Sequence, residues 1–143
     1  MVLNFAEAAE ENGMIVALDQ AKAYDKIKHD YLWKTLEAFK ILNHFIHTMQ
    51  SLYSNAMTKV MINRCLSSGF QVSRGVHQGD PLSCLLFNLG IEPLSLSLRK
   101  SNLRGLTIPG THERLIATLF SDDTTVFLAE EDSLTDLTKI LDS

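Results

Sequence analysis

The stretch Leu115-Ile116-Ala117-Thr118-Leu119-Phe120-Ser121-Asp122-Asp123-Thr124-Thr125-Val126-Phe127-Leu128 does most to narrow what this chain can fold into. Two apolar runs flank a short polar break. The second run is rich in Thr, Val and Phe, which suit a pleated, half-buried surface. Asp accepts positive φ more readily than most residues, so Ser121-Asp122-Asp123 fits the tip of a tight hairpin. Two adjacent carboxylates are then held on a rigid turn, where they repel, and a buried pair of this kind needs a cation. An ordinary polar turn at the surface accounts for the same residues, because Asp is a common turn former. The rest of the chain has to supply a further metal ligand and a substrate site if the first reading holds.

A second carboxylate follows the run Met14-Ile15-Val16-Ala17-Leu18, which has the length and continuity of a buried strand. Asp19 stands at its C-terminal end, where a carboxylate is costly without a partner. Before it, residues 2–12 mix Leu3, Phe5, Ala6, Ala8 and Ala9 with Glu7, Glu10 and Glu11, a pattern for a short helix ended by Asn12-Gly13. After it, Asp30 reads as the N-cap of a helix over about 31–40 with Leu32, Leu36 and Phe39 on one face. A helix is predicted over 44–54. Its His44 and His47 have metal-ligand spacing but no third ligand nearby, so surface or packing histidines are expected. Strands are predicted at 58–63 and 70–72, joined by the loop 64–69.

Asp80 followed by Pro81 is a helix start, a capping carboxylate and then proline at the first helical position. The helix should run to about Lys100, with a kink near Pro93. Gly75 and Gly79, just before it, let backbone approach a ligand closely. Leu103–Pro109 reads as a short strand and turn, and Ser133 caps a last helix over roughly 134–142.

The 143 residues are 45% hydrophobic and 21% charged, which predicts one packed domain and argues against disorder. No apolar run approaches the ~18 residues that span a bilayer, and Met1–Glu7 lacks the basic start and apolar block of a signal peptide. Cys65 and Cys84 are far apart and form no CxxC, so free thiols in a reducing compartment are expected. An intracellular protein follows, nuclear or cytoplasmic and not secreted, with no membrane partner. The net charge of −4 is a poor overall balance for a nucleic-acid binder.

Three stretches now line up: Asp19-Gln20-Ala21-Lys22-Ala23-Tyr24-Asp25, then Arg74-Gly75-Val76-His77-Gln78-Gly79-Asp80-Pro81-Leu82-Ser83, then Phe120-Ser121-Asp122-Asp123. In order and spacing they resemble motifs A, B and C of reverse transcriptases, closest to those of non-LTR (LINE-type) retrotransposons. The resemblance covers about residues 14 to 130. A lone pair of aspartates is a weak signal; the middle motif is specific. The departures are His77 where a basic residue is usual, Cys84 in place of a proline after the serine, and Ser121 in place of alanine. His77 loses a permanent charge that the family uses.

The resemblance implies an α+β fold: a palm-type antiparallel sheet with helices packed on one face and partial fingers. It implies RNA-directed DNA polymerase activity, joining dNTPs to a primer 3′-hydroxyl on an RNA template. Mg²⁺ is the implied cofactor, with Mn²⁺ an alternative; two ions about 3.5–4 Å apart neutralise the triphosphate and polarise the hydroxyl. Asp19 and Asp122 are the implied metal ligands, with Asp123 in support. By the same resemblance Tyr24 is the aromatic gate under the incoming sugar, with a core aromatic as the alternative. Gln78 and Gly79 flank the nucleotide, Arg74 and His77 contact nucleic acid, and Lys22 meets a phosphate or pairs with an acid. Asp25 is read as structural and Asp80 as the helix cap.

The family's basic fingers and thumb would lie outside this chain, which explains its acidity. The 143 residues then read as a partial, palm-centred reverse transcriptase domain from a longer polyprotein, poor or inactive as a polymerase alone. One alternative is a non-catalytic remnant of a retrotransposon polymerase that binds metal or nucleic acid weakly. Another is a different palm polymerase, an RNA-dependent RNA polymerase or an intron-type reverse transcriptase, which Tyr24 disfavours where ribonucleotides are the substrate.

Overall fold

The computed structural model describes residues 12–77, 79–120 and 122–142. The expected helix over 2–12 therefore lies, apart from Asn12, outside the described residues, as do Gln78 and Ser121. The chain divides into two compact units, one built from the described residues up to Ala21 and from Ile91 onward, the other from Lys22–Gly90.

The first unit is organised by a three-stranded antiparallel sheet. Strand β1 (Gly13–Asp19) lies against the strand that follows the Asp122 turn. The apolar run Met14–Leu18 forms the body of β1 as expected, but not as a buried strand: Met14, Ile15 and Ala17 are exposed, and only Val16 and Leu18 turn inward. Alternation along the sheet sends Val16 and Leu18 to one face. There they pack with Val126 and Leu128 against Leu94, Leu98, Leu103, Leu137 and Ile140, a core closed by helices on one side of the sheet. Burying a Leu or Val side chain of this kind is worth about 1.5–3 kcal/mol.

The second unit begins with the short helix α1 (Ala23–Lys26), followed by α2 (His29–Ala38) and α3 (Asn43–Ser54). Leu32 and Leu36 of α2 and Ile46, Met49 and Tyr53 of α3 are buried, and they give the unit its own core. The start of α2 differs from expectation. Its N-cap is Lys28, without a side-chain bond, and Asp30 sits inside the first turn, where its charge complements the positive end of the helix. The side chain of His29, the first residue of the helix, reaches the backbone carbonyl of Gly75, 2.8 Å distant.

Four two-residue strands follow: β2 (Met57–Thr58), β3 (Met61–Ile62), β4 (Cys65–Leu66) and β5 (Phe70–Gln71). The turn is not the expected 64–69 loop. Ile62 pairs with Cys65, and Asn63 and Arg64 between them both take positive φ, 49° and 65°. Positive φ at both central positions is the hairpin turn whose twist matches its strands.

Helix α4 (Pro81–Lys100) runs unbroken through Pro93. Its start is the predicted one, with Asp80 Oδ1 accepting from the Leu82 N–H at 3.0 Å. One expectation needs correction here, since this 20-residue helix is long and apolar enough, by length and composition, to cross a membrane. It also buries Leu86, Phe87, Ser83, Ser95 and Leu98 in protein and carries Asn88, Glu92 and Pro93 in its middle. Only 33% of that apolar stretch is buried. Beyond it come β6 (Leu106–Thr107) paired with β7 (Arg114–Leu115), then β8 (Ala117–Phe120) and β9 (Asp123–Ala129), the sheet's central strand. Ser133 caps α5 (Leu134–Leu141) as predicted, its side chain accepting from the Thr135 N–H.

Candidate functional site

Strands β8 and β9 pair Phe120 with Asp123, so only two positions separate the paired residues, the second of them Asp122. Asp123 is thereby the first residue of a strand and not part of the tip. β1 then pairs Asp19 directly with Asp123. Residues opposed across antiparallel strands share a face, with Cβ atoms about 4.5–5.5 Å apart. Phe120, Asp123 and Asp19 therefore form one row across the end of the sheet, and Phe120 is 82% exposed. The next row, Leu119, Thr124 and Leu18, turns to the other face, where Leu18 joins the core and Thr124 is buried.

Asp19 and Asp123 are exposed and Asp122 is half-buried. Among the described residues no cationic side chain is ion-paired to any of the three; the ion pairs there are Arg104–Glu131 at 3.3 Å and Lys139–Asp136 at 2.8 Å. Like charges placed directly opposite on a sheet destabilise it, so the fold carries an uncompensated repulsion at this end. Among the described residues no three His, Cys, Asp or Glu side chains, Asp19, Asp122 and Asp123 included, come together as a group that could hold a metal ion. Exposed carboxylate oxygens without a protein cation fit Mg²⁺, whose shell is usually completed by phosphate and water.

The second unit holds the other predicted site residues, Lys22, Tyr24, Arg74, His77 and Gly79. Lys22 caps α1 with left-handed backbone, φ 56° and ψ 44°, and its carbonyl accepts from the Asp25 N–H at 3.0 Å. Asp25 thus serves the turn through its backbone. Tyr24 is half-buried and stacked on Phe87, ring centroids 4.3 Å apart, with its hydroxyl 3.9 Å from Cys84 Sγ. The ring is held flat against the first turns of α4.

Gly75 approaches the chain itself where a ligand contact was expected. Its N–H donates to Ile27 O and the Val76 N–H donates to Tyr24 O, both at 2.8 Å. Arg74 bridges Lys28 in the same antiparallel manner. The loop carrying the second motif is therefore laid backbone to backbone on the segment carrying Tyr24. Gly79, at φ +97°, has nothing within 4 Å of where a Cβ would stand, so it is the glycine that keeps space open. Arg74 and His77 are exposed. His44 and His47 are both exposed, and His47 Nδ1 lies 3.1 Å from Gln50 Oε1.

The charge of the chain is unevenly divided. Residues 22–90 contain eight Lys and Arg against four Asp and Glu, a net charge of +4; the remainder contains five against thirteen, a net of −8. The overall acidity belongs to the unit with the paired carboxylates, and this chain already contains a basic unit.

A sequence profile of the family described as reverse transcriptase (RNA-dependent DNA polymerase) matches residues 3–143. The chain belongs to the reverse transcriptase family. The likeness extends beyond the 14–130 stretch that carries the motifs. The Transposon TX1 uncharacterized 149 kDa protein of Xenopus laevis is 36% identical over 131 residues, 92% of this chain and 10% of that protein. The retrovirus-related Pol polyprotein from type-2 retrotransposable element R2DM of Drosophila melanogaster is 34% identical over 98 residues, 68% of this chain and 9% of that one. The chain thus spans about a tenth of the length of these relatives, and its reverse transcriptase domain is of the LINE type. The solved structure of apo telomerase from Candida tropicalis, truncated from its C-terminal domain, superposes with a TM-score of 0.69 at 17% identity, over 99% of this chain and 30% of that one. That likeness bears out the α+β, palm-type fold.

Two features of this reverse transcriptase domain escaped the sequence reading. His29 and Tyr53 support the second-motif loop: His29 Nε2 meets Gly75 O, and the Tyr53 ring stacks on His77 at 5.5 Å. Both stand on helices as apparent packing residues, and only a contact across the unit gives them this role. Asp132 was also missed. One of its oxygens accepts from Arg104 N at 2.7 Å and the other from Gly105 N and Ala129 N, both at 2.9 Å. Burial alone would push this carboxyl up; the three N–H donors and the Arg104 charge outweigh it and hold the group below its ordinary value.

Proposed function

We propose that this reverse transcriptase domain carries the nucleotidyl-transfer centre of an RNA-directed DNA polymerase, with an RNA template, a DNA primer and dNTPs as substrates. The observation that carries the reading is the sheet register: Asp19 stands opposite Asp123 at the strand end adjoining the Asp122 turn. Asp19 and Asp122 would hold Mg²⁺ with Asp123 beside them, and the ion would neutralise the triphosphate and acidify the primer 3′-hydroxyl.

The other residues position substrate. Tyr24, braced by Phe87, would press against the incoming sugar and exclude a 2′-hydroxyl. Gly79 leaves room for the nucleotide, with Gln78 beside it. Arg74 and His77 would contact nucleic acid, and the exposed Lys22 would reach a phosphate. We place the domain in an intracellular polyprotein, nuclear or cytoplasmic, where segments outside these 143 residues complete the fingers and the thumb. Misplacement of reacting groups by about 1 Å costs on the order of a hundredfold, so the chain alone should turn over poorly or not at all.

The experiment has two arms. Mn²⁺ binding to the 143-residue chain with dTTP, followed by paramagnetic broadening of amide signals, should be centred on residues 18–20 and 122–124 and should vanish in an Asp19→Asn, Asp122→Asn double variant. Broadening elsewhere, or broadening that survives in the variant, sinks the site. Primer extension on an RNA template with Mg²⁺ and dNTPs should not exceed that of the same double variant; clear extension by the native chain would show that these residues suffice alone.

A further inference from the structure

In the second unit the aromatic rings form a connected pile that ends at the surface. Trp33 meets His29 at 5.9 Å and Tyr53 at 5.8 Å, and His29 meets Tyr53 edge-on at 5.0 Å. Tyr53 then stacks nearly flat on His77, with ring centroids 5.5 Å apart and planes inclined by 17°. Tyr53 is buried and His77 is exposed. A backed, solvent-facing ring of this kind is pre-positioned to receive another flat ring, because offset stacking is favoured at such separations.

Its surroundings are basic. Arg74 lies on the same loop, paired through its backbone with Lys28, and both are exposed. Among the described residues neither is ion-paired. The unit's net charge is +4. Aromatic faces beside backbone-tracking cations are how proteins hold single-stranded nucleic acid.

We propose that His77 is a stacking platform for a nucleobase of single-stranded RNA, braced from behind by Tyr53, with Lys28 and Arg74 taking the adjoining phosphates. The proposal deepens the functional reading above, on which it rests for the identity of the strand. Where the family pattern has a fixed cation, this chain uses the face of a ring. The contact then does not depend on a charge at residue 77, and its loss should not change the salt dependence of binding.

The test measures binding of a short fluorescein-labelled oligouridine to the 143-residue chain by anisotropy, in EDTA and without nucleotide, over a range of salt. His77→Ala should weaken binding about five- to a hundredfold, the range for loss of one base stack, with the salt slope unchanged. His77→Phe should restore it. Arg74→Ala should lower the slope by about 0.7, one phosphate contact on a single strand. The proposal is overturned if the native chain does not bind at low salt, if His77→Ala binds as well as native, if His77→Phe is as weak as His77→Ala, or if His77→Lys matches native with a steeper slope. Excluding metal separates the two readings: failure of the Asp19–Asp122 site leaves this result standing, and failure here leaves that site untouched.

Discussion

Replacing Gly75 by alanine tests how the second-motif loop is joined to the segment that carries Tyr24. Gly75 has φ +87°, and a Cβ there would lie 3.1 Å from Asp25 Cα and 3.2 Å from the carbonyl oxygens of Asp25 and Tyr24. Left-handed backbone costs an L-residue about 1–2 kcal/mol. The crowding is against backbone, which has no rotamer to move away, so the two segments must part by a few tenths of an ångström. Three hydrogen bonds hold them: Gly75 N to Ile27 O, Val76 N to Tyr24 O, and His29 Nε2 to Gly75 O. At about 0.5–1.5 kcal/mol each, weakening them adds about 1–3 kcal/mol, for a total of roughly 2–5. Gly79→Ala is the internal control: φ is +97° in the same unit, but nothing lies within 4 Å, so only the backbone cost applies. Trp33 is the single tryptophan and touches His29 and Tyr53, so its fluorescence during urea unfolding reports on this unit. With a urea slope of about 1–3 kcal/mol per molar, Gly75→Ala should lower the midpoint by roughly 1–3 M, at least twice the shift of Gly79→Ala. Equal shifts would refute the argument, because the backbone contact would then cost nothing beyond the φ.

Other perturbations follow from single observations. Asp132→Asn leaves at least one of three N–H donors without its carboxylate partner and should cost about 2 kcal/mol, seen as faster hydrogen exchange at the Arg104 amide or at the Gly105 and Ala129 amides, whichever the new NH2 faces. Because the native Asp132 carboxyl sits below its ordinary value of 3.8, its stabilisation is complete above that value. It is lost as pH falls through the depressed native one, so an acid titration of the native protein should slope more steeply there than one of Asp132→Asn. Tyr53→Phe should leave the urea midpoint unchanged or raise it, since the Tyr53 hydroxyl is buried with no partner among the described residues; a loss above about 1 kcal/mol would reveal a bond to that hydroxyl. Asp123→Asn should raise stability slightly in EDTA by relieving the repulsion with Asp19, and a melt showing clear destabilisation would mean the two carboxylates do not repel.

Local chemistry made much of this protein legible. Asp80 with Pro81 and Ser133 start helices through a bond to a residue two positions on, and β1 follows from a run of apolar residues, so a few consecutive side chains suffice. The three motif stretches likewise named the family, because each is short and its order along the chain survives without a structure. Contacts between distant segments were not legible. Whether Asp122 or Asp123 faces Asp19 is a matter of register, set by the pairing of Phe120 with Asp123 and by β1 pairing with β9; a slip of one residue would exchange them. His29, not Asp30, begins α2, and its ring meets a carbonyl 46 residues away, a contact no local pattern announces. Gly75 looked like room for a ligand and is occupied by the chain's own backbone. The sequence carries a single net charge of −4, whereas folding sorts it into a basic unit and an acidic one, since which charges become neighbours depends on where the chain turns back on itself.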